Sequence, residues 1–185
     1  MRTVIGLVRP QSGRIRFGDM DLVAVAAYKR AHLGVGYIPE DRRLVPQLSV
    51  EENILLPVWA TGDAGFEERL AWIYQLMPEV ARFATREALQ LSGGQQKLAA
   101  LARALMCGTK LLPLDEPFEG VAPALARRLA EVLSDLKGEG LSVLLSESDY
   151  THSAESPGPP VRHRTGGGTG EARRQRPGRR RTRGE

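Results

Sequence analysis

The chain has 185 residues, a formal net charge of +4 and a single cysteine, Cys107. That length suits one domain, and one cysteine excludes an intramolecular disulfide and fits a reducing compartment. No apolar run approaches the ~18 residues of a spanning helix and no charged-then-apolar leader opens the sequence, so it reads as soluble, with any membrane association made through a partner.

The elements follow in chain order. Arg14–Phe17 reads as a short strand, Val23–Ala31 as a helix and Gly34–Ile38 as a strand. From Val50 to Leu89 the pattern is helical, and Leu70, Ile73, Tyr74 and Met77 fall on one face of a helix over 66–77. Trp59 and Trp72 lie in this region; core packing is their default role, and docking a helix of a membrane subunit is the alternative. Ser92 is placed to cap a helix whose apolar side is Leu98, Leu101, Ala102, Leu105 and Met106. Leu111-Leu112-Pro113-Leu114 is an apolar run that delivers Asp115 and Glu116 to its C-terminal end. Pro113 is discordant there, because a proline in a central strand removes a ladder donor. It is expected to be local damage or, alternatively, a bulge. Pro123 suits the first turn of a helix with the face Leu125, Leu129, Val132, Leu133 and Leu136. Gly138 and Gly140 end it before a strand over 141–146.

The end of the chain differs in composition. Residues 155–185 hold nine Arg, three Glu, seven Gly and four Pro. Such a segment cannot bury a core and is expected to be disordered. It also carries the basic balance, since residues 1–154 hold 17 basic against 19 acidic residues. Two origins are open. Read one base later, the codons of residues 160–166 permit a strand-like sequence, which suggests a frameshift between about Ser153 and Pro159. Otherwise it is a genuine Arg/Gly tail for RNA or anionic surfaces. No aromatic interleaves its arginines, which argues against base stacking.

Two spaced motifs carry chemistry. In Leu91-Ser92-Gly93-Gly94-Gln95-Gln96, two glycines let backbone approach a ligand at a helix N-terminus, whose free N–H groups and dipole favour phosphate. Asp115-Glu116-Pro117 begins twenty-one residues after Gly94. In this order and at this spacing the two resemble the signature loop and Walker B strand of an ATP-binding-cassette (ABC) ATPase. Further upstream, Pro39-Glu40-Asp41-Arg42 followed by Val50-Glu51-Glu52-Asn53 resembles the ATPase subunits of branched-chain amino-acid importers. There Glu40 takes the place of the family's usual Gln.

The resemblance implies an α/β fold. It would be a partial P-loop NTPase core over 1–154, with a helical subdomain at about 50–106, lacking the N-terminal strands and the C-terminal part. It implies ATP and Mg²⁺ as cofactors, a second ABC ATPase subunit and transmembrane permease subunits as partners, and a place on the cytoplasmic face of the membrane. No specific nucleic acid is implied. Asp115 would bind Mg²⁺, Glu116 would polarise the attacking water, and Glu40 would be a carboxylate of the coupling loop. Ser92, Gly93, Gly94 and Gln95 would reach the γ-phosphate held by the partner subunit. Phe118-Glu119-Gly120 matches the D-loop. Ser148 stands where the family has its switch His, and His152 falls too late to replace it.

The sequence contains no Gly-x-x-x-x-Gly-Lys-Ser/Thr run. The run from Met1 to Ile15, with Gly6-Leu7, Pro10 and Gly13, resembles the family's stretch on and just after the helix that follows that loop, so the sequence is expected to begin within that helix. The expectation is therefore weak or absent ATP turnover by this chain alone. A degenerate non-catalytic fragment and a soluble ABC protein with a basic RNA-binding tail are the alternatives.

Overall fold

A computed structural model describes residues 1–62 and 64–147. The expected switch position at Ser148, His152 and the basic tail lie outside these residues. Helices α1 (Val50–Thr61), α2 (Phe66–Leu76) and α3 (Pro78–Arg82) precede α4 (Gly93–Cys107). A parallel pair of strands, β3 (Leu111–Asp115) and β4 (Ser142–Ser146), flanks α5 (Pro123–Gly138). A small antiparallel hairpin, β1 (Arg16–Phe17) with β2 (Met20–Asp21), lies near the N-terminus.

Helix α4 is central. Lys97–Ala102 and Ala104–Met106 are all buried, so it is enclosed nearly all round, unlike a surface helix with one apolar stripe. Its residues join one core with Val50 and Ile54 of α1, Ile73 of α2, Leu112 and Leu114 of β3, and Val132 and Leu136 of α5. At its C-terminal end α4 meets segment 34–38 through two glycines. A Cβ on Gly36 would lie 2.9 Å from Gly108 Cα, and one on Gly108 would lie 3.0 Å from Gly36 Cα.

The expected helix over 23–31 does not form. The segment folds as short 3-10 turns at Leu22–Ala24, Ala27–Lys29 and Ala31–Leu33. The buried Arg30 guanidinium explains this. It donates to the carbonyls of Leu22 and Val25, which a continuous helix would use as acceptors, and also to those of Thr3 and Val4.

The expected strand over 34–38 does not form as a regular one: the segment runs parallel to β3 and meets it in isolated bridges at Val35–Leu111 and Ile38–Leu114. Gly36 N donates to Leu111 O and Ile38 N to Pro113 O. In the reverse direction Leu111 N donates to Gly34 O and Asp115 N to Ile38 O. The step between them falls on Pro113, which has no N–H. On its other side β3 keeps an unbroken register with β4, including Pro113 opposite Leu144. The expected bulge is therefore absent.

Trp59 is not a core residue. It is 59% exposed, on the side of α1 away from Val50, Ile54 and Val58. Trp72 is half-buried against the core, with the Arg69 guanidinium 3.9 Å from its ring centre. Among the described residues no helix is long and apolar enough to cross a membrane.

Candidate functional site

Strand β3 ends at Asp115, and the chain turns sharply at Glu116, which has a left-handed φ of 49°. Asp115 is flanked by hydroxyls from both neighbouring segments. Tyr37 donates to its Oδ2 at 3.2 Å and Ser146 donates to its Oδ1. Burial, and then the adjacent Asp115 carboxylate, push the Tyr37 phenol up to about 12. Tyr37 is therefore a donor across the physiological range.

Glu40, Asp115 and Glu116 line one small pocket, together with Arg42, Lys97 and Leu101. The end of β3 supplies Asp115 and Glu116 to this lining, and the loop after segment 34–38 supplies Glu40. Two side chains fix that loop. Arg103 of α4 donates to the carbonyls of Arg42 and Arg43, which sit at φ of 60° and 46°. The fully buried Asn53 of α1 accepts from Val45 N and donates to the carbonyls of Val45, Leu48 and Ser49.

Ser92, Gly93, Gly94 and Gln95 do not line this pocket. They form the first turn of α4 and close a reciprocal cap. Ser92 Oγ accepts from Gln95 N, while Gln95 Oε1 accepts from Ser92 N. Ser92 and Gly93 are exposed. Arg42 connects the two places: it lines the pocket, and its Nη1 donates to Gln96 Oε1 at 3.1 Å. Its Nε is buried without a hydrogen-bond partner among the described residues.

Lys97 was not expected here. Its ammonium is buried and donates to the carbonyls of Glu116, Pro117 and Glu119. Burial lowers its pKa and Arg42 adds to this, while Glu119, Glu116 and Glu40 oppose it. The available signal was weak: α4 holds two charged residues, Lys97 directly before the apolar run and Arg103 within it. Nothing local marked Arg103 or Tyr37, whose partners lie 60 and 78 residues away in sequence.

Carboxylate oxygens suit a hard cation such as Mg²⁺. No group of three His, Cys, Asp or Glu among the described residues forms a complete metal cage. One carboxylate with water and phosphate oxygens is the usual way Mg²⁺ is held beside a nucleotide, and Asp115 fits that part. When bound, the ion would neutralise phosphate charge.

The ABC transporter family model matches residues 1–119. The high-affinity branched-chain amino acid transport ATP-binding protein BraG of Pseudomonas aeruginosa is 32% identical over 149 residues, 80% of this chain and 64% of that protein. The lipopolysaccharide export system ATP-binding protein LptB of Acidithiobacillus ferridurans is 33% identical over 146 residues, 78% of this chain and 60% of that protein. The chain thus spans less than two thirds of the length of either relative. Among solved structures, the ADP conformation of MJ1267, an ATP-binding cassette of an ABC transporter, superposes with a TM-score of 0.63 at 26% identity, covering 78% of this chain and 62% of that one. A nucleotide-free cassette from an ABC transporter gives a TM-score of 0.70 at 24% identity, covering 84% and 67%, a likeness of fold.

Proposed function

This chain belongs to the ABC transporter family of ATP-binding proteins, and from that premise we propose that it contributes to ATP hydrolysis at an interface between two such subunits. The observation that carries this reading is that Glu40, Asp115 and Glu116 all line one small pocket, with the Ser92–Gly93 turn exposed outside it. Glu116 then orients and polarises the attacking water, Asp115 supplies an oxygen to the Mg²⁺ site, and Glu40 adds a carboxylate from the loop beyond segment 34–38. Ser92 and the Gly93–Gly94 backbone offer the helix N-terminus to a γ-phosphate held by the other subunit. Residues of about 50–106 act as the helical subdomain, and transmembrane permease subunits bring the protein to the cytoplasmic face of the membrane.

Import of branched-chain amino acids is the substrate reading we favour. The stretches Pro39–Arg42 and Val50–Asn53 support it, as does the name of the BraG relative. The similar identity of a lipopolysaccharide exporter subunit leaves the substrate to experiment.

The test uses the full chain with a complete ABC cassette whose catalytic base is inactivated. Sedimentation should show association that depends on Mg·ATP and is abolished by Ser92→Arg. Association unaffected by that substitution, or none at saturating Mg·ATP, would sink the reading.

A further inference from the structure

We propose that Lys97 is a positioning residue: its ammonium fixes the backbone of Glu116 and the following loop to helix α4, so that α4 sets the direction of the Glu116 carboxylate. The catalytic meaning of this rests on reading Glu116 as the water-polarising base.

An ammonium has three hydrogens to donate, and here three main-chain carbonyls of one short loop receive them. The distances are 3.2 Å to Glu116 O and 3.0 Å to Pro117 O, with Glu119 O as the third acceptor. Lys97 is only 7% exposed. Burying a charge this deeply is costly unless it is fully hydrogen-bonded, and the three loop carbonyls meet that condition. The arrangement also acts in the other direction. The carbonyls of a tight loop have no ladder to satisfy them, and Lys97 supplies their donors.

Glu116 is the residue this most affects. A non-glycine at φ 49° occupies a sparsely populated conformation that persists only where its surroundings hold it. Both adjoining peptides are held. The Glu116 N–H donates to Ser146 O of β4 at 3.0 Å, and the Glu116 carbonyl accepts from Lys97. The sheet therefore fixes the peptide before the side chain and α4 fixes the one after it. The same carbonyl accepts the Glu119 N–H at 3.2 Å, so the loop closes on the atom that Lys97 grips. Lys97 lies four residues after Gly93, on the same face of α4. The next loop residues lead into α5, whose Leu125 Cδ2 would lie 2.8 Å from a Cβ on Gly94.

A lysine that merely fills and satisfies the core would stabilise the whole molecule evenly. The test is amide hydrogen exchange of the full chain without nucleotide, comparing Lys97→Met and Lys97→Arg with the parent and with a urea titration of each. In Lys97→Met the Glu119 amide should exchange about tenfold faster than any global loss of stability explains, while amides of Leu112 and Leu133 follow the urea result. Lys97→Arg, which keeps charged donors, should restore most of the protection. No change at Glu119, or acceleration there no greater than at Leu112 and Leu133, overturns the proposal. If Lys97→Met does not fold, Lys97→Gln is read against Lys97→Arg at the same amides. Because no nucleotide is present, this experiment fails only with the Lys97 proposal, whereas the association assay above fails only with the functional reading.

Discussion

Pro113 stands opposite the carbonyl of Gly36 with no N–H to give it. Leu111 and Asp115, on either side, donate to Gly34 O at 3.0 Å and Ile38 O at 2.9 Å. Replacing Pro113 by Leu should return the missing donor and add aliphatic packing at a buried position, stabilising the fold by about 1–3 kcal/mol. A denaturant titration measures this. A neutral or destabilising result would mean that Gly36 O is satisfied otherwise.

Arg103 forks onto two successive carbonyls, those of Arg43 at 2.6 Å and Arg42 at 2.5 Å. Arg103→Met should cost about 2–3 kcal/mol in urea, the range for losing charge-assisted hydrogen bonds, here one to an exposed and one to a partly buried acceptor. Arg103→Lys should recover only part, since an ammonium lacks the planar fork. Full recovery by Lys would show that charge alone matters there.

Tyr74 of α2 donates to Glu51 Oε2 of α1 at 2.8 Å. Burial first, and then Glu51, raise its pKa above the ordinary 10.0. A group with a raised folded pKa contributes its stability fully below the unfolded value and loses it as pH climbs toward the folded one. The stability difference between the parent and Tyr74→Phe should therefore be flat to about pH 10 and shrink above it. Melting curves across pH 7–11 decide this, and a difference that stays constant through pH 11 would refute the coupling.

The two tryptophans should separate cleanly. Trp59→Ser is expected to change stability by no more than about 0.5 kcal/mol, as for most surface sites. Trp72→Ser should cost about 2–3 kcal/mol, through lost packing and the Arg69 contact. Equal effects would contradict the exposure of Trp59.

What the sequence disclosed was periodic or motif-bound. Pro123 opens α5, whose buried side is Leu129, Val132, Leu133 and Leu136, and Ser92 caps α4 with Gln95 three residues on. Those features are local, so spacing alone reveals them. The helical pattern over 23–31 misleads because the conformation there depends on Arg30 capturing carbonyls as distant as Thr3. Lys97, Arg103 and Tyr37 escaped notice for the same reason: their partners are brought near only by the fold. Pro113 was seen as discordant, but its effect falls on the neighbouring segment and not on β3 itself.

The bare contact between Gly36 and Gly108 gives α4 a fulcrum. The helix has 15 residues, so its ends are about 22 Å apart. Near the fulcrum, even a methyl group on either glycine would act as a wedge. A tilt of a few degrees there would carry the Ser92 end through roughly an ångström, enough to misalign the phosphate contact proposed for it. The separation of segment 34–38 and the helix at one end thus calibrates the direction of the Ser92 turn at the other.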